Sequence, residues 1–192
     1  MSNVPSIYKK ALRCLGVAES FIRREGEKSI LAGVVMRGDL LIDGVAFARA
    51  TVGGMDATEA VEAIYERLAR TDINLIMLNG CVISWYNVID LPRIHEETGR
   101  PVICVTYEES AGLERFFRKY FQDYRERIKV YRRNGGRIPV PLKTGYVVYV
   151  RAFGLNMREA AVVLNRFTVQ GKVPEPLRVA RLIARNALKH LF

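Results

Sequence analysis

The run Ile73-Asn74-Leu75-Ile76-Met77-Leu78 is almost continuously apolar, and Pro101-Val102-Ile103-Cys104-Val105-Thr106 repeats the pattern. A strand needs such a run only when both of its faces are covered, as in a parallel sheet with helices on either side. The segment between the two runs fits a short helix over Val88 to Thr98, ended by Gly99 and restricted at its start by Pro92. The pair therefore predicts a β-α-β unit, and the rest of the chain must supply the covering layers.

Upstream, Leu12 to Val17, Ser29 to Met36 and Gly44 to Thr51 are β-rich apolar runs. Turn-like Arg23-Arg24-Glu25-Gly26 and Arg37-Gly38-Asp39 separate them, which predicts a three-strand antiparallel meander. Asp56 to Arg70 then carries Ala60, Val61, Ile64 and Leu68 at helical spacing, with Asp56 or Thr58 available as N-cap. Downstream, Leu113, Phe117, Tyr120, Tyr124, Ile128 and Tyr131 recur at threes and fours, predicting one long or two short helices over 111–132 with an aromatic core stripe. An edge strand is expected within Ile138 to Val150, then helices over Asn156 to Arg166 and Pro176 to His190. The class is α/β: a ribonuclease H-like mixed sheet, antiparallel meander plus parallel βαβ strands, with C-terminal helices. Residues 1–192, 49% hydrophobic, are expected to form one domain with a basic C-terminal helical region.

The formal charge of +10 is unevenly placed. Residues 1–111 hold 12 Lys/Arg against 15 Asp/Glu, and residues 112–192 hold 18 against 5. A basic half attracts phosphates and makes nucleic acid the expected partner; a solvated basic surface is the alternative. No apolar run reaches the length of a membrane span and no signal-peptide pattern opens the chain, so a soluble, cytoplasmic protein is expected, with its oligomeric state left open. Cys14, Cys81 and Cys104 are far apart in apolar contexts and read as buried thiols, while His95 and His190 lack zinc spacing.

Three strand ends carry the candidate chemistry. Glu19 follows the first strand, Asp56 the third, and Asn79 ends the central parallel strand. Carboxylates at converging strand ends hold Mg²⁺, which takes hard oxygen ligands and activates water. Glu19 and Asp56 are thus candidate metal ligands, with Asn79 able to orient a water or phosphate. Helix capping by Asp56, a solvated Glu19 and a plain Asn79-Gly80 turn are the alternatives. Trp85, Tyr86 and Asn87 follow within a few residues and place stacking faces beside that edge, or simply close the core. Arg178, Arg181, Arg185 and Lys189 fall on one face of the last helix, a stripe suited to a phosphate backbone or to solvent. Arg125, Arg127, Lys129, Arg132, Arg133 and Arg137 form a second basic cluster tipped by Gly135-Gly136. Gly53-Gly54 before a helix N-terminus leaves a small-anion binder as a third class, without a phosphate-loop signature.

The runs Leu15-Gly16-Val17, Ala32-Gly33-Val34-Val35-Met36-Arg37-Gly38, Asp56-Ala57-Thr58, Met77-Leu78-Asn79-Gly80, Tyr86-Asn87-Val88-Ile89-Asp90 and Pro174-Glu175-Pro176-Leu177-Arg178-Val179-Ala180 span almost the whole chain. In them the sequence resembles the archaeal family of unknown function number ninety-nine, one branch of which is described as endonuclease dU. More distantly it is similar to endonuclease V, a ribonuclease H-like enzyme that nicks DNA near deaminated bases with Mg²⁺. The resemblance implies a DNA-repair hydrolase using Mg²⁺ or Mn²⁺ on uracil- or hypoxanthine-containing DNA. It also implies that three acid positions are altered: the first-strand aspartate falls on Ala18, the central-strand aspartate on Asn79, and the acid of the terminal motif on Arg181, while the acid after the third strand corresponds to Asp56. The alternative function is a non-catalytic nucleic-acid-binding or structural protein of the same fold.

Overall fold

The computed structural model describes residues 7–24 and 26–190; Glu25, in the expected first turn, lies outside them. Strands β1 (Arg13–Ser20), β2 (Lys28–Arg37) and β3 (Ile42–Thr51) form the antiparallel meander. Helix α1 (Ala57–Leu68) returns the chain to β4 (Leu75–Asn79), which pairs parallel with β1. A small hairpin, β5 (Val82–Ile83) and β6 (Asn87–Val88), precedes α2 (Leu91–Thr98) and β7 (Val102–Thr106), which is parallel to β4. Helices α3 (Glu114–Tyr120) and α4 (Tyr124–Arg133) follow, then β8 (Ile138–Pro141), β9 (Val147–Phe153), α5 (Met157–Phe167) and α6 (Glu175–His190). The large sheet runs β3-β2-β1-β4-β7-β9-β8, the ribonuclease H-like order expected, lengthened by an antiparallel pair.

Side-chain alternation splits the core in two. Leu15, Val17, Ile76, Leu78, Val102 and Cys104 face α1 and α2, while Cys14, Leu75, Met77, Ile103 and Val105 face α5 and α6. Each fully buried Leu, Ile or Val contributes about 1.5–3 kcal/mol, and a one-residue slip would move a whole row to the wrong face. The register of β1, β4 and β7 is therefore fixed, and with it the face of every residue at their ends. Helix α6 crosses β1 closely because Gly16 carries no side chain: a Cβ there would sit 2.5 Å from the Pro176 Cβ. Beyond that crossing, Ala180 packs against Ala18 and Val34.

Four expectations are refined. The first strand runs on to Ser20, so Glu19 lies inside it. The helix expected from Val88 begins at Leu91, because Asp90 accepts the Arg93 N–H at 3.2 Å as its cap and residues 82–88 are spent on the hairpin. The 111–132 stripe is two helices, broken at Phe121, whose extended backbone ends the first. The expected single edge strand is a hairpin in which β9 pairs with both β7 and the outer β8, which itself contains Pro139 and Pro141. All three cysteines are buried free thiols. No helix among the described residues is long and apolar enough to cross a membrane.

Candidate functional site

Glu19, Asp56 and Asn79 lie at the same end of the sheet but not on one face. Glu19 alternates in phase with Leu15 and Val17, toward the α1 side, and the β1–β2 register is regular through Glu19 and Leu31. Asn79 alternates with Leu75 and Met77, toward the α6 side, the face it shares with Ala18.

Asp56 occupies the N-cap position of α1 without capping it. Its Oδ1 accepts the Thr51 N–H and the Asn87 side-chain amide, both at 2.8 Å, and its Oδ2 accepts the Thr51 hydroxyl at 2.7 Å, with Lys28 Nζ at 3.4 Å. Burial alone would raise its pKa, but these hydrogen bonds and the Lys28 charge bring it below the usual carboxylate range. The helix is capped instead by Asn87, whose Oδ1 accepts the Ala57 N–H at 3.0 Å while its Nδ2 also donates to Thr51 O at 2.9 Å. Asn87 is fully buried; it ties β3, α1 and the hairpin together and presents nothing to a ligand.

Glu19 is the contrasting acid. Burial pushes its pKa up to about 7, opposed by a hydrogen bond from the Ser84 backbone and by the Arg181 charge. Its Oε2 is buried without a partner. Around the strand ends Glu19 shares with Ala18, Asn79 and Gly80 a cavity of about 10 Å³ otherwise walled by Val17, Leu31, Leu78, Ile83 and Ile89, no larger than a single water requires.

On the α6 face, Tyr107 donates its hydroxyl to Asn79 Oδ1 at 2.8 Å, and Lys172 donates to the Tyr107 carbonyl at 3.3 Å. Burial raises the Tyr107 pKa, while the charges of Arg181 and Arg178 act against it. Arg178 is largely committed to the fold: it pairs with Glu175 at 3.1 Å and donates to the carbonyls of Gln170 and Val173. Arg181, Arg185 and Lys189 are exposed and make neither hydrogen bond nor ion pair among the described residues.

The hairpin tip is the most strained backbone here. Ser84, Trp85 and Tyr86 have φ of 44°, 55° and 67° in succession, a left-handed conformation costing about 1–2 kcal/mol for each such residue. The surroundings impose it. Gly53 N–H donates to Ser84 O at 2.8 Å, and the Arg127 guanidinium donates to the carbonyls of Tyr86, Gly54 and Gly53 at 2.8, 2.9 and 2.7 Å. Arg127 is itself buried, held by Asp123 at 2.8 Å and lying 3.8 Å over the Phe121 ring. Trp85 and Tyr86 thereby join an aromatic cluster: Trp85 packs 5.3 Å from Phe121 and 6.1 Å from Tyr120, and Tyr86 stacks on Phe116 and Tyr120. Arg23 lies 5.1 Å over the Trp85 ring, whose buried Nε1 has no acceptor.

Four of the second basic cluster, Arg127 included, are spent on structural contacts, while Arg125 and Lys129 stay exposed. Arg132 pairs with Glu114, Arg133 with Asp90, and Arg137 donates to the carbonyls of Glu108 and Ser110.

The residues present do not fit a divalent ion. Among the described residues no three His, Cys, Asp or Glu side chains gather as such a site requires. Asp56 has both oxygens engaged, Asn79 spends its oxygen on Tyr107, and Glu19 faces a space too small for a hydrated Mg²⁺, within reach of the Arg181 charge.

Tyr107 and Lys172 were not among the sequence candidates for the site, and Arg127 was there only as one of the second basic cluster. Arg127 had a readable signal, because it falls at the apolar phase of α4 beside Ile128 and between Tyr124 and Tyr131. Tyr107 and Lys172 had none, since only the sheet order brings them to Asn79.

The sequence matches the family described as endonuclease dU over residues 10–188. A UPF0215 protein of Pyrobaculum calidifontis is 42% identical over 178 residues, covering 92% of this chain and 97% of that protein. Among solved structures, a protein of unknown function from Archaeoglobus fulgidus superposes with a TM-score of 0.79 at 27% identity, covering 91% of this chain and 97% of that one. Endonuclease V of Ciona intestinalis, crystallised with a DNA containing an inosine followed by a ribo-adenosine, superposes with a TM-score of 0.64 at 12% identity, covering 95% and 88%. At that identity the likeness speaks for the fold alone.

Proposed function

Because the chain belongs to the endonuclease dU family, we propose that it is a DNA-binding protein that uses the strand-end edge of its ribonuclease H-like sheet. The observation that carries the reading is the set of three exposed, unpaired cations, Arg181, Arg185 and Lys189, on the helix that crosses that edge. An unpaired cation row tracks phosphates. The rigid turn bearing Trp85 and Tyr86 stands at the same sheet end, and its partly accessible rings offer a surface for an unpaired base. Asn87, buried as the cap of α1, serves the platform from behind.

Fluorescence anisotropy with labelled duplex and single-stranded DNA tests this. Three phosphate contacts give a slope of log Kobs against log salt of about −2.7 for duplex DNA. Arg181→Glu with Arg185→Glu should flatten that slope by about two and weaken binding to every sequence alike. Binding indifferent to salt removes DNA as the partner.

A second reading is favoured by the family description: an endodeoxyribonuclease cutting at uracil or hypoxanthine with Mg²⁺ or Mn²⁺, Glu19 and Asp56 holding the ion and Asn79 orienting water or phosphate. The donor set does not fit that ion, so no hydrolytic step is derived through it. Nicking of uracil- or inosine-containing duplexes with either metal, lost in Asp56→Ala, would replace the binding reading with this one.

A further inference from the structure

The α6 face of the strand ends is positive where a metal site would be negative, and its parts are already arranged. Arg181 acts electrostatically both on Glu19, near the end of β1, and on Tyr107, just beyond β7. Strand β4 lies between those two strands. Arg181 is thus within electrostatic reach of both strands that flank the end of β4, where Asn79 is. The packing agrees: Ala180, the residue before Arg181, rests on Ala18 of β1, on the same face as Asn79. The Tyr107 hydroxyl occupies Asn79 Oδ1 at 2.8 Å, which fixes the amide and leaves Nδ2 as a donor with no partner among the described residues. Asn79 is partly exposed. A forked cation and an amide N–H are thus placed at the same strand end, a spot whose donors match a phosphate oxygen pair.

We infer that this spot binds a phosphodiester directly, with Arg181 and Asn79 Nδ2 as its donors and no divalent ion between protein and DNA. The inference rests on the DNA-binding reading above and specifies its chemistry: Arg181 supplies the positive charge that a metal would otherwise bring. Ala18 lets Ala180 pack closely, and Gly16 sets the approach of α6 to β1. Burial pushes the Glu19 pKa up to about 7, which weakens its hold on the cation below that pH.

Two measurements on the full chain decide it. Mn²⁺ alone, titrated into the protein and followed by electron paramagnetic resonance, is expected to show no stoichiometric site below millimolar concentration. One site of that kind, lost in Glu19→Gln or Asp56→Asn, overturns the inference. DNA affinity by anisotropy is expected to be the same in EDTA as in the smallest effective Mg²⁺ at matched ionic strength. Arg181→Gln should raise Kd about tenfold, as expected for a lost charge-assisted contact. Arg185→Gln, which removes an equal charge one turn along, should raise Kd less than about threefold by losing only a screened contact. Equal losses from the two variants also overturn the inference, since the cation would then be one of an undifferentiated row. Binding that requires Mg²⁺ refutes the metal-free contact and leaves the DNA reading standing; no binding to DNA under any ion refutes both.

Discussion

Replacing Glu19 by Gln should remove a pH dependence that the wild-type protein carries in its folding stability. The Glu19 pKa rises from 4.5 to about 7 in the folded chain because burial penalises its charged form. At about 1.4 kcal/mol per unit, that is a cost of about 3 kcal/mol once the group is ionised. The folded state binds the proton more tightly than the unfolded state between these two values. Wild-type stability is therefore unpenalised below pH 4.5, falls as pH rises through the window, and carries the full cost above pH 7. Gln keeps the volume and the acceptor for the Ser84 N–H but cannot ionise. Any constant penalty from its buried amide cancels when the two proteins are compared across pH. The stability difference, variant minus wild type, should thus grow by about 3 kcal/mol between pH 4 and pH 8. Urea unfolding read by Trp85 fluorescence at half-unit pH steps gives the difference from the midpoints at constant slope. A difference that stays flat would show that Glu19 ionises in the fold as it does in the open chain. A difference that shrinks with pH would show a net stabilising pair with Arg181. Either outcome refutes the reasoning.

Arg127→Met should destabilise the protein by about 3 kcal/mol or more, since the carbonyls of Gly53, Gly54 and Tyr86 lose their buried donor and Asp123 its partner; chemical denaturation checks it, and a loss under 1 kcal/mol would mean that water replaces the guanidinium. Gly53→Ala combines a φ of +74° with a Cβ only 3.0 Å from the Trp85 ring, so it should cost about 1–3 kcal/mol and change the near-ultraviolet circular dichroism of the aromatic cluster. An unaltered spectrum with unaltered stability would show that the turn is not held as described.

The apolar runs and their spacing were enough to order the strands. Met77 lies between Ile76 and Leu78 and has no polar neighbour to exchange with, and burying such rows is so favourable that it overrides local choices. Hence the meander, the parallel pair and the covering helices were legible, as was the burial of Cys14, Cys81 and Cys104. The strand-end position of Glu19, Asp56 and Asn79 was legible too, because strand ends follow from strand lengths. Their roles were not. Whether a carboxylate is open to a ligand depends on which donors the tertiary structure brings to it. Asp56 is occupied by Thr51 and by Asn87, 31 residues away, while Glu19 is stripped of water by side chains from β2, β4 and the hairpin. The hairpin tip was equally hidden, since nothing local in Ser84-Trp85-Tyr86 favours a left-handed backbone and only Arg127, 41 residues beyond Tyr86, makes it tolerable. Sequence determines hydrophobic periodicity, a local and additive quantity. The protonation state, free valences and face of a polar group depend on partners distant along the chain, and those the fold alone assembles.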